Sequence, residues 1–439
     1  MKIKKSIKVK NRNPWIWLPS VYFAEGMPYI IVMTVSVIMY KRLNISNTEI
    51  AFYTSWLYLP WVIKPFWSPL VELFKTKRWW IVSMQLFIGA GLAGVALTLP
   101  TSFFFRGSLA FLWLLAFSSA THDIAVDGFY MMGLNENQQA FFVGIRNTFY
   151  RIAMITGQGI LVVLAGFLET STLLGNPENG NNIPMAWAFT FVVMAIAFLL
   201  FAVYHKFFLP YPKEDIETAS EGVKNVFAGF SETIKAYFVK KEIWTILGFL
   251  LLYRLGESQL VKMASPFLLD SIEVGGLGLT TKQVGIAYGT IGIIALTIGG
   301  ISGGWLASKY GFKKLLWVFV LSINLPNAVY VFLSYVQPSE YWITVSAVAI
   351  EQLGYGFGFT AYTLYMLYVS AGKYKTAHYA FSTGIMALGM MLPGMVSGWL
   401  QESLGYQHFF VWVMICTIPG FIMAKLIKVD KDFGLRKNS

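Results

Sequence analysis

Long apolar stretches separated by short polar ones run through the chain from end to end. The first extends from Trp15 to about Tyr40, and others follow at 49–71, 79–99, 107–131, 141–168, 185–209, 242–270, 282–307, 314–336, 341–371, 377–401 and 406–427. Each reaches about 20 residues, the length a helix needs to cross the hydrocarbon of a bilayer. The pattern predicts an all-α polytopic membrane protein with twelve transmembrane helices, numbered 1 to 12 in chain order. One long polar stretch, 210–241, opens with Pro210 and Pro212 and carries Glu214, Asp215, Glu217 and Glu221. Such a charged, proline-led segment reads as a linker. It predicts an N-terminal six-helix half at 1–209, a cytoplasmic linker at 210–241 and a C-terminal six-helix half at 242–439.

Composition agrees: of 439 residues, 56% are hydrophobic and only 13% charged, too apolar for a soluble protein. The formal charge of +12 raises nucleic acid as a partner, but its distribution argues against that. Most lysines and arginines sit in the two ends and in the loops after even-numbered helices, the bias that orients membrane proteins. Both termini are therefore expected to be cytoplasmic, with the lipid bilayer as partner and no nucleic acid. The basic start, MKIKKSIKVKNRNP, is followed by no small-residue cleavage site, so helix 1 is expected to be retained. Cys416 has no second cysteine to pair with, which excludes a disulfide framework within one chain. His122, His205, His378 and His408 are scattered, so neither a metal nor an enzyme's nucleophile constellation is expected. No cofactor is implied.

Charges inside the apolar runs carry the candidate chemistry. Asp123 and Asp127 lie four residues apart, on one face of helix 4. An ionised carboxylate in a bilayer core costs several kcal/mol, so two of them imply a wet cavity or cationic partners. Arg146 and Arg151 on helix 5 are the candidates. An antiparallel hairpin sets Asp127 level with Arg146 and Asp123 level with Arg151. These four residues form the proposed proton-coupling group, with a permanent salt bridge between helices 4 and 5 as the competing reading of Asp123. Glu25 on helix 1, Arg254, Glu257 and Lys262 on helix 7, and Glu351 on helix 10 are further buried charges. Tyr22, Tyr253, Tyr355 and Tyr362 lie on the same helices, and aromatic faces with hydroxyl tips suit sugar rings or amphipathic solutes. Glu25, Tyr22, Tyr253, Arg254, Glu257, Glu351, Tyr355 and Tyr362 are therefore the candidate solute-binding residues. His122 beside Asp123 suits a proton relay or simple packing. Gly354, Gly356 and Gly358 on helix 10 suit close helix approach. Trp15, Trp17, Trp79, Trp80 and Trp342 are expected at the membrane interfaces.

An internal repeat supports the halving. Ser68-Pro-Leu70-Val-Glu72-Leu-Phe-Lys75-Thr-Lys77-Arg78 after helix 2 aligns with Gly304-Trp-Leu306-Ala-Ser308-Lys309-Tyr-Gly311-Phe-Lys313-Lys314 after helix 8. Both resemble the G-x-L-x-D-R-x-G-R-R signature of the major facilitator superfamily, with Ser68 and Lys75 where glycines are expected. The resemblance implies two six-helix halves that rock about a central site lined by helices 1, 4, 7 and 10. It also implies a gating latch formed by Lys64, Glu72, Ser308 and Lys309.

EGMP on helix 1, KPFWSPLVE at 64–72, SATHDIAVDGFY on helix 4, YRIAMITG at 150–157, LLYRLGES at 252–258 and PGMVSGWLQESLGY at 393–406 together resemble the AmpG-like muropeptide permeases, relatives of the acetyl-coenzyme A transporters. That similarity implies a monomeric, multi-pass protein of the bacterial inner membrane that imports an amino-sugar-containing solute, such as an N-acetylglucosaminyl-anhydromuramyl peptide, together with protons. Another solute (a sugar, an acetyl-coenzyme A-like anion or a drug) stays open, as does a receptor or channel on the same fold.

Overall fold

Hydrocarbon offers a backbone amide no partner, so a membrane-spanning chain must satisfy its amides within each segment. The computed structural model describes residues 12–175, 182–212, 215, 222–430 and 433, and every regular element among them is helical. Helix occupies each of the predicted apolar segments. Eight of the helices are long and apolar enough to cross a membrane: Pro14–Arg42, Lys77–Thr98, Phe104–Gly133, Asn137–Glu169, Asn182–Phe208, Thr281–Tyr310, Phe312–Val336 and Lys375–Leu426. The last of these contains predicted helices 11 and 12, which part at Gly405, where φ is +73°. The three remaining segments are helical as well. Helix 2 comes in two pieces, Asn47–Trp56 and Leu59–Leu73. Helix 7 is likewise broken, into Ile243–Leu252 and Leu255–Leu269, and helix 10 runs uninterrupted over Tyr341–Ser370.

The chain forms two compact units. The first gathers Met1–Ile30, Phe66–Met154 and Trp187–Phe230, and the second Ile31–Pro65, Ile155–Ala186 and Ser231–Ser439. In the first unit helix 3 packs along helix 4, and the opening half of helix 1 packs on both helix 4 and helix 5. Asp215 of the linker accepts hydrogen bonds from the Lys77 and Arg78 amides at 2.6 and 3.1 Å. A carboxylate there satisfies free amides and meets the positive end of the helix dipole. Trp17, expected at an interface, is only 1% exposed and meets the Phe129 ring edge-on at 5.3 Å. Sequence position near a helix end suggested a lipid belt, but this side chain points inward. Trp15, Trp79 and Trp342 are exposed.

In the second unit three helices carry stretches of wider π-helical turn, at Ile31–Val35, Ile155–Leu161 and Gly285–Gly292. The latter two pack together, so closely that a Cβ on Gly289 would overlap the Gln158 carbonyl. Helix 10 uses its glycines in the same way. Gly356 lies against the Leu296 carbonyl of helix 8, and Gly354 and Gly358 against Ser322 and Phe319 of helix 9. Dispersion grows steeply as backbones approach, and small residues permit that approach where no hydrophobic effect is available. The linker helix, Gly222–Phe238, ends with Tyr237 buried and its hydroxyl 2.9 Å from Ser382 Oγ.

The two copies of the repeat share a backbone feature. Gly311 has φ of +87°, and Lys75, its counterpart after helix 2, has φ of +60°. Left-handed geometry costs a residue with a Cβ roughly 1–2 kcal/mol and costs glycine little. Lys75→Gly is therefore expected to stabilise the protein by about 1 kcal/mol, read as a raised midpoint of thermal unfolding in detergent. A lowered midpoint would show that the lysine side chain contributes more than its backbone strain removes.

Candidate transport sites

The first unit places the sequence-predicted acids of helix 4 against helix 1. Glu25, 7% exposed, lies within electrostatic reach of Asp123 and Asp127. Like charges gathered in a water-poor site repel, and a proton on one of them relieves that repulsion. One turn along helix 4, Arg146 Nη1 lies 3.0 Å from Asp127 Oδ1. The guanidinium reaches there across the ring of Tyr22, whose centroid is 4.9 Å away, with Tyr130 at 5.7 Å. Helix 1 thus contributes both Glu25 and Tyr22 to what had been expected as a helix 4–helix 5 hairpin alone. Tyr150 on helix 5 lies within Coulombic reach of Glu25, Asp123 and Arg151, and Arg151 Nη1 is 3.8 Å from Met154 Sδ. Four of the predicted residues, Asp123, Asp127, Arg146 and Glu25, therefore form one cluster, with Tyr22 over its arginine. This cluster can hold a proton beside a fixed ion pair.

Behind Asp123 runs a hydrogen-bonded chain that crosses four helices. Ser20 Oγ lies 2.9 Å from His205 Nε2, His205 Nδ1 lies 2.9 Å from Gln85 Oε1, and Gln85 Nε2 lies 3.0 Å from His122 Nε2. Gln85, His122 and His205 are fully buried. The Gln85 amide assigns the tautomers: its oxygen accepts from His205 Nδ1–H, and its nitrogen donates to an unprotonated His122 Nε2. His122, weighed in sequence as relay or packing, is thereby anchored to helix 3, which sets the rotation of helix 4 at Asp123. Single buried polar residues gave the sequence no sign of this chain, because its members lie as much as 185 positions apart.

In the second unit the break in helix 7 falls at Tyr253 and Arg254, immediately before Glu257. Arg254 Nη2 donates to the Tyr355 hydroxyl at 2.5 Å, and its guanidinium stands over the Tyr355 and Phe359 rings at 5.2 and 5.0 Å. Glu257 and Glu351 are each 1% exposed. Lys262 donates to Thr54 Oγ1 at 2.9 Å and lies 5.1 Å from the Tyr58 ring centre. Broken helices of this kind expose backbone groups and side chains to a solute. Tyr253 and Tyr362 are different. Their hydroxyls donate to the Gly358 and Leu250 carbonyls at 3.1 and 2.5 Å, and their rings stack with Phe249. Polar tip and ring are both engaged in packing in this arrangement.

A second polar assembly in this unit was not anticipated. Lys41 Nζ lies 2.6 Å from Asp270 Oδ1 and 2.8 Å from Asn47 Oδ1. Asn47 Nδ2 donates to Gln401 at 2.5 Å and to the Tyr406 hydroxyl at 3.0 Å, and Tyr406 donates to Asp270 at 2.6 Å. Arg42 pairs with Glu169 at 3.1 Å, and Glu169 also accepts from Thr281 at 2.7 Å. These residues join the ends of helices 1, 2 and 5 to helices 7, 8, 11 and 12, and Lys41, Arg42, Asn47 and Asp270 among them line a cavity of about 400 Å³. The predicted latch residues lie elsewhere. Ser308 and Lys309 are exposed, with the Lys309 ammonium 5.2 Å from the Trp305 and Tyr310 rings of its own helix. Lys64 is half-buried, and the Glu72 side chain lies outside the described residues.

A family model described as the Major Facilitator Superfamily matches residues 20–398. The chain belongs to that superfamily. Its relatives include a putative transporter, AmpG 4, of Rickettsia felis, 28% identical over 421 residues that span 92% of this chain and 94% of the relative. They include as well the anhydromuropeptide permease of Escherichia coli, 25% identical over 417 residues, spanning 94% of this chain and 79% of that one. Among solved structures, the D-xylose-proton symporter aligns over 95% of this chain and 97% of its own with a TM-score of 0.69 at 12% identity. The nucleoside transporter NupG aligns over 95% and 100% with a TM-score of 0.66 at 14% identity. At such identities the likeness shows the fold. This member of the superfamily is a multi-pass membrane transporter and not an enzyme, and its AmpG-type relatives are the ones its helix 1, 4 and 7 motifs resemble.

The buried chain through Gln85 yields a stability test. Gln85→Leu leaves His205 Nδ1 and His122 Nε2 without partners, and each unsatisfied buried group costs about 1–3 kcal/mol. The variant is expected to lose thermal stability by that order, whereas Ser20→Ala, at the half-exposed end, loses less. Equal losses for the two would mean that the chain does not act as a unit.

Proposed function

We propose that this transporter imports an amino-sugar-containing solute, such as an N-acetylglucosaminyl-anhydromuramyl peptide, in symport with protons across a bacterial inner membrane. The observation that carries the proposal is the Glu25–Asp123 carboxyl pair beside the Asp127–Arg146 ion pair, in a chain whose relatives include an anhydromuropeptide permease. Asp123 is the proton carrier, and Glu25, the neighbouring carboxyl of helix 1, joins it from the solute-binding set. Arg254, turned over Tyr355 and Phe359 at the helix 7 break, receives a carboxylate or other anionic group of the solute. Glu257, Glu351 and Tyr355 complete the proposed solute site around it.

Both termini are cytoplasmic in this reading, and the halves 1–209 and 242–439 rock about the site. Helix 1 then ends outside, so the Lys41–Asp270–Tyr406 network closes the outer end and must part before solute is admitted. The Glu72 and Ser308 loops lie on the cytoplasmic side and latch it in the opposite state. A ligand or proton shifts such an equilibrium only by its differential affinity for the two states. A proton shared by two carboxyls supplies one, because separating the pair removes its second ligand.

Asp123→Asn mimics the protonated acid. In proteoliposomes it is expected to abolish accumulation driven by a pH gradient while preserving solute exchange, which needs no net proton movement. A well-folded variant that still concentrates solute under the gradient would remove Asp123 from the mechanism. Arg254→Gln is expected to raise the apparent Kd for an acidic muropeptide by about tenfold or more, the loss of one charge-assisted contact. An unchanged Kd would assign Arg254 to holding helix 10 alone.

A further inference from the structure

The second unit also carries a pair of acids on its first and fourth helices, Glu257 on helix 7 and Glu351 on helix 10, as the first unit carries Glu25 on helix 1 and Asp123 on helix 4. Arg254, one turn before Glu257, touches Tyr355, one turn after Glu351. Glu257 and Glu351 lie within Coulombic reach of one another. Neither oxygen of Glu257 receives a hydrogen bond from a described protein group, nor does Oε1 of Glu351. Only Glu351 Oε2 is partnered, by Gln352 Nε2 at 2.9 Å.

The neighbouring cations give their hydrogen bonds and ring contacts to other groups, although Arg254 stays within electrostatic reach of Glu257. Arg254, one turn before Glu257, is turned to Tyr355 and Phe359. Lys262 is turned to Thr54 and Tyr58 on helix 2. Tyr288 from helix 8 and Tyr330 from helix 9 each lie within Coulombic reach of both glutamates. The Tyr330 hydroxyl is itself fully buried with no described hydrogen-bond partner. Tyrosine hydroxyls donate to an acid but supply no positive charge. Two buried carboxylates with one arginine in electrostatic reach of Glu257 leave one negative charge unbalanced, and the smallest cation that balances it is a proton.

We propose that Glu257 and Glu351 form a second proton-binding carboxyl pair, the counterpart in the C-terminal half of Glu25 and Asp123. The pair takes up one proton from the aqueous phase and yields it on the other side, so each turnover carries a proton in each half. This inference rests on the transport reading above for its direction, but the proton site itself does not.

Infrared difference spectroscopy of the purified full-length protein, titrated without solute, reads the site directly through the carbonyl stretch of protonated carboxyl groups. The parent is expected to keep such absorption at neutral pH, with part of it lost in Glu257→Gln and the same part lost in Glu351→Gln. Asp123→Asn is expected to remove a different part. Glu257→Asp, which restores a titratable group, guards against a folding defect and is expected to recover the band. No change in either glutamine variant, with the protein monodisperse, would overturn the proposal. So would a parent band that vanishes when sodium chloride replaces choline chloride, which would make this a sodium site. In proteoliposomes loaded with an N-acetylglucosaminyl-anhydromuramyl tripeptide, Glu257→Gln is expected to lower the proton flux per solute by about half. An unchanged ratio with a KM raised tenfold would assign the pair to a solute ammonium group and overturn the proton role. If Asp123→Asn leaves coupling intact while both glutamine variants lose their band, the transport reading fails and the second pair stands.

Discussion

The cost of a carboxylate in a medium without water governs the arrangement of the other polar groups in this protein. Such a charge is tolerated only where it is protonated, paired or wetted. The acids of helices 1, 4 and 10 have different neighbours. Glu25 lies within electrostatic reach of Asp123, Asp127 has Arg146 at 3.0 Å, and Glu351 has the Gln352 amide. The neighbours in turn fix helix positions. Arg146 reaches Asp127 only because the Tyr22 ring on helix 1 lies beneath it, and Asp123 faces Glu25 in a helix whose rotation His122 sets through Gln85. A transporter needs these groups to have two arrangements, and a proton that binds two carboxyls differs in energy between them.

Packing supplies the rigidity that makes such a switch discrete. Lipid tails are as apolar as leucine, so helices in a bilayer associate through close contact. Helix 10 touches helices 8 and 9 at three glycines, and the π-helical stretches of helices 5 and 8 meet at Gly159 and Gly289. A π turn frees carbonyls that a regular helix would use, and it often marks places where function requires an irregular backbone. The network of Lys41, Asn47, Asp270 and Tyr406 adds directional bonds at the ends of the same helices. Its ion pair is 15–16% exposed and Asn47 and Tyr406 are buried, so each bond lost with its partner still buried is costly.

Helical segments, their apolar character and the superfamily were legible in the sequence, since each depends on residues near one another in the chain. Twenty apolar residues in a row determine a helix in lipid whatever surrounds them, because backbone satisfaction is local. The six motifs that resemble AmpG-type permeases were equally local, and so was the rarity of charges within them. Helix 4's two aspartates announced a polar site through their spacing alone.

Which side chains share that site was decided by the tertiary structure. Glu25 joins Asp123 because helix 1 packs on helices 4 and 5, and no spacing in the sequence states the order of helices around a bundle. Tyr253 and Tyr362 pack with their hydroxyls on the Gly358 and Leu250 carbonyls, contacts that no sequence spacing announces. Trp17, near a helix end, turned inward against Phe129. The breaks in helices 2 and 7 and the network joining Lys41 to Asp270 depend on partners up to hundreds of residues away. A sequence sets which residues lie on one face of a helix, because helical periodicity is a property of the backbone. Packing alone sets what that face meets, because the contacts that rotate one helix against another are made across the fold.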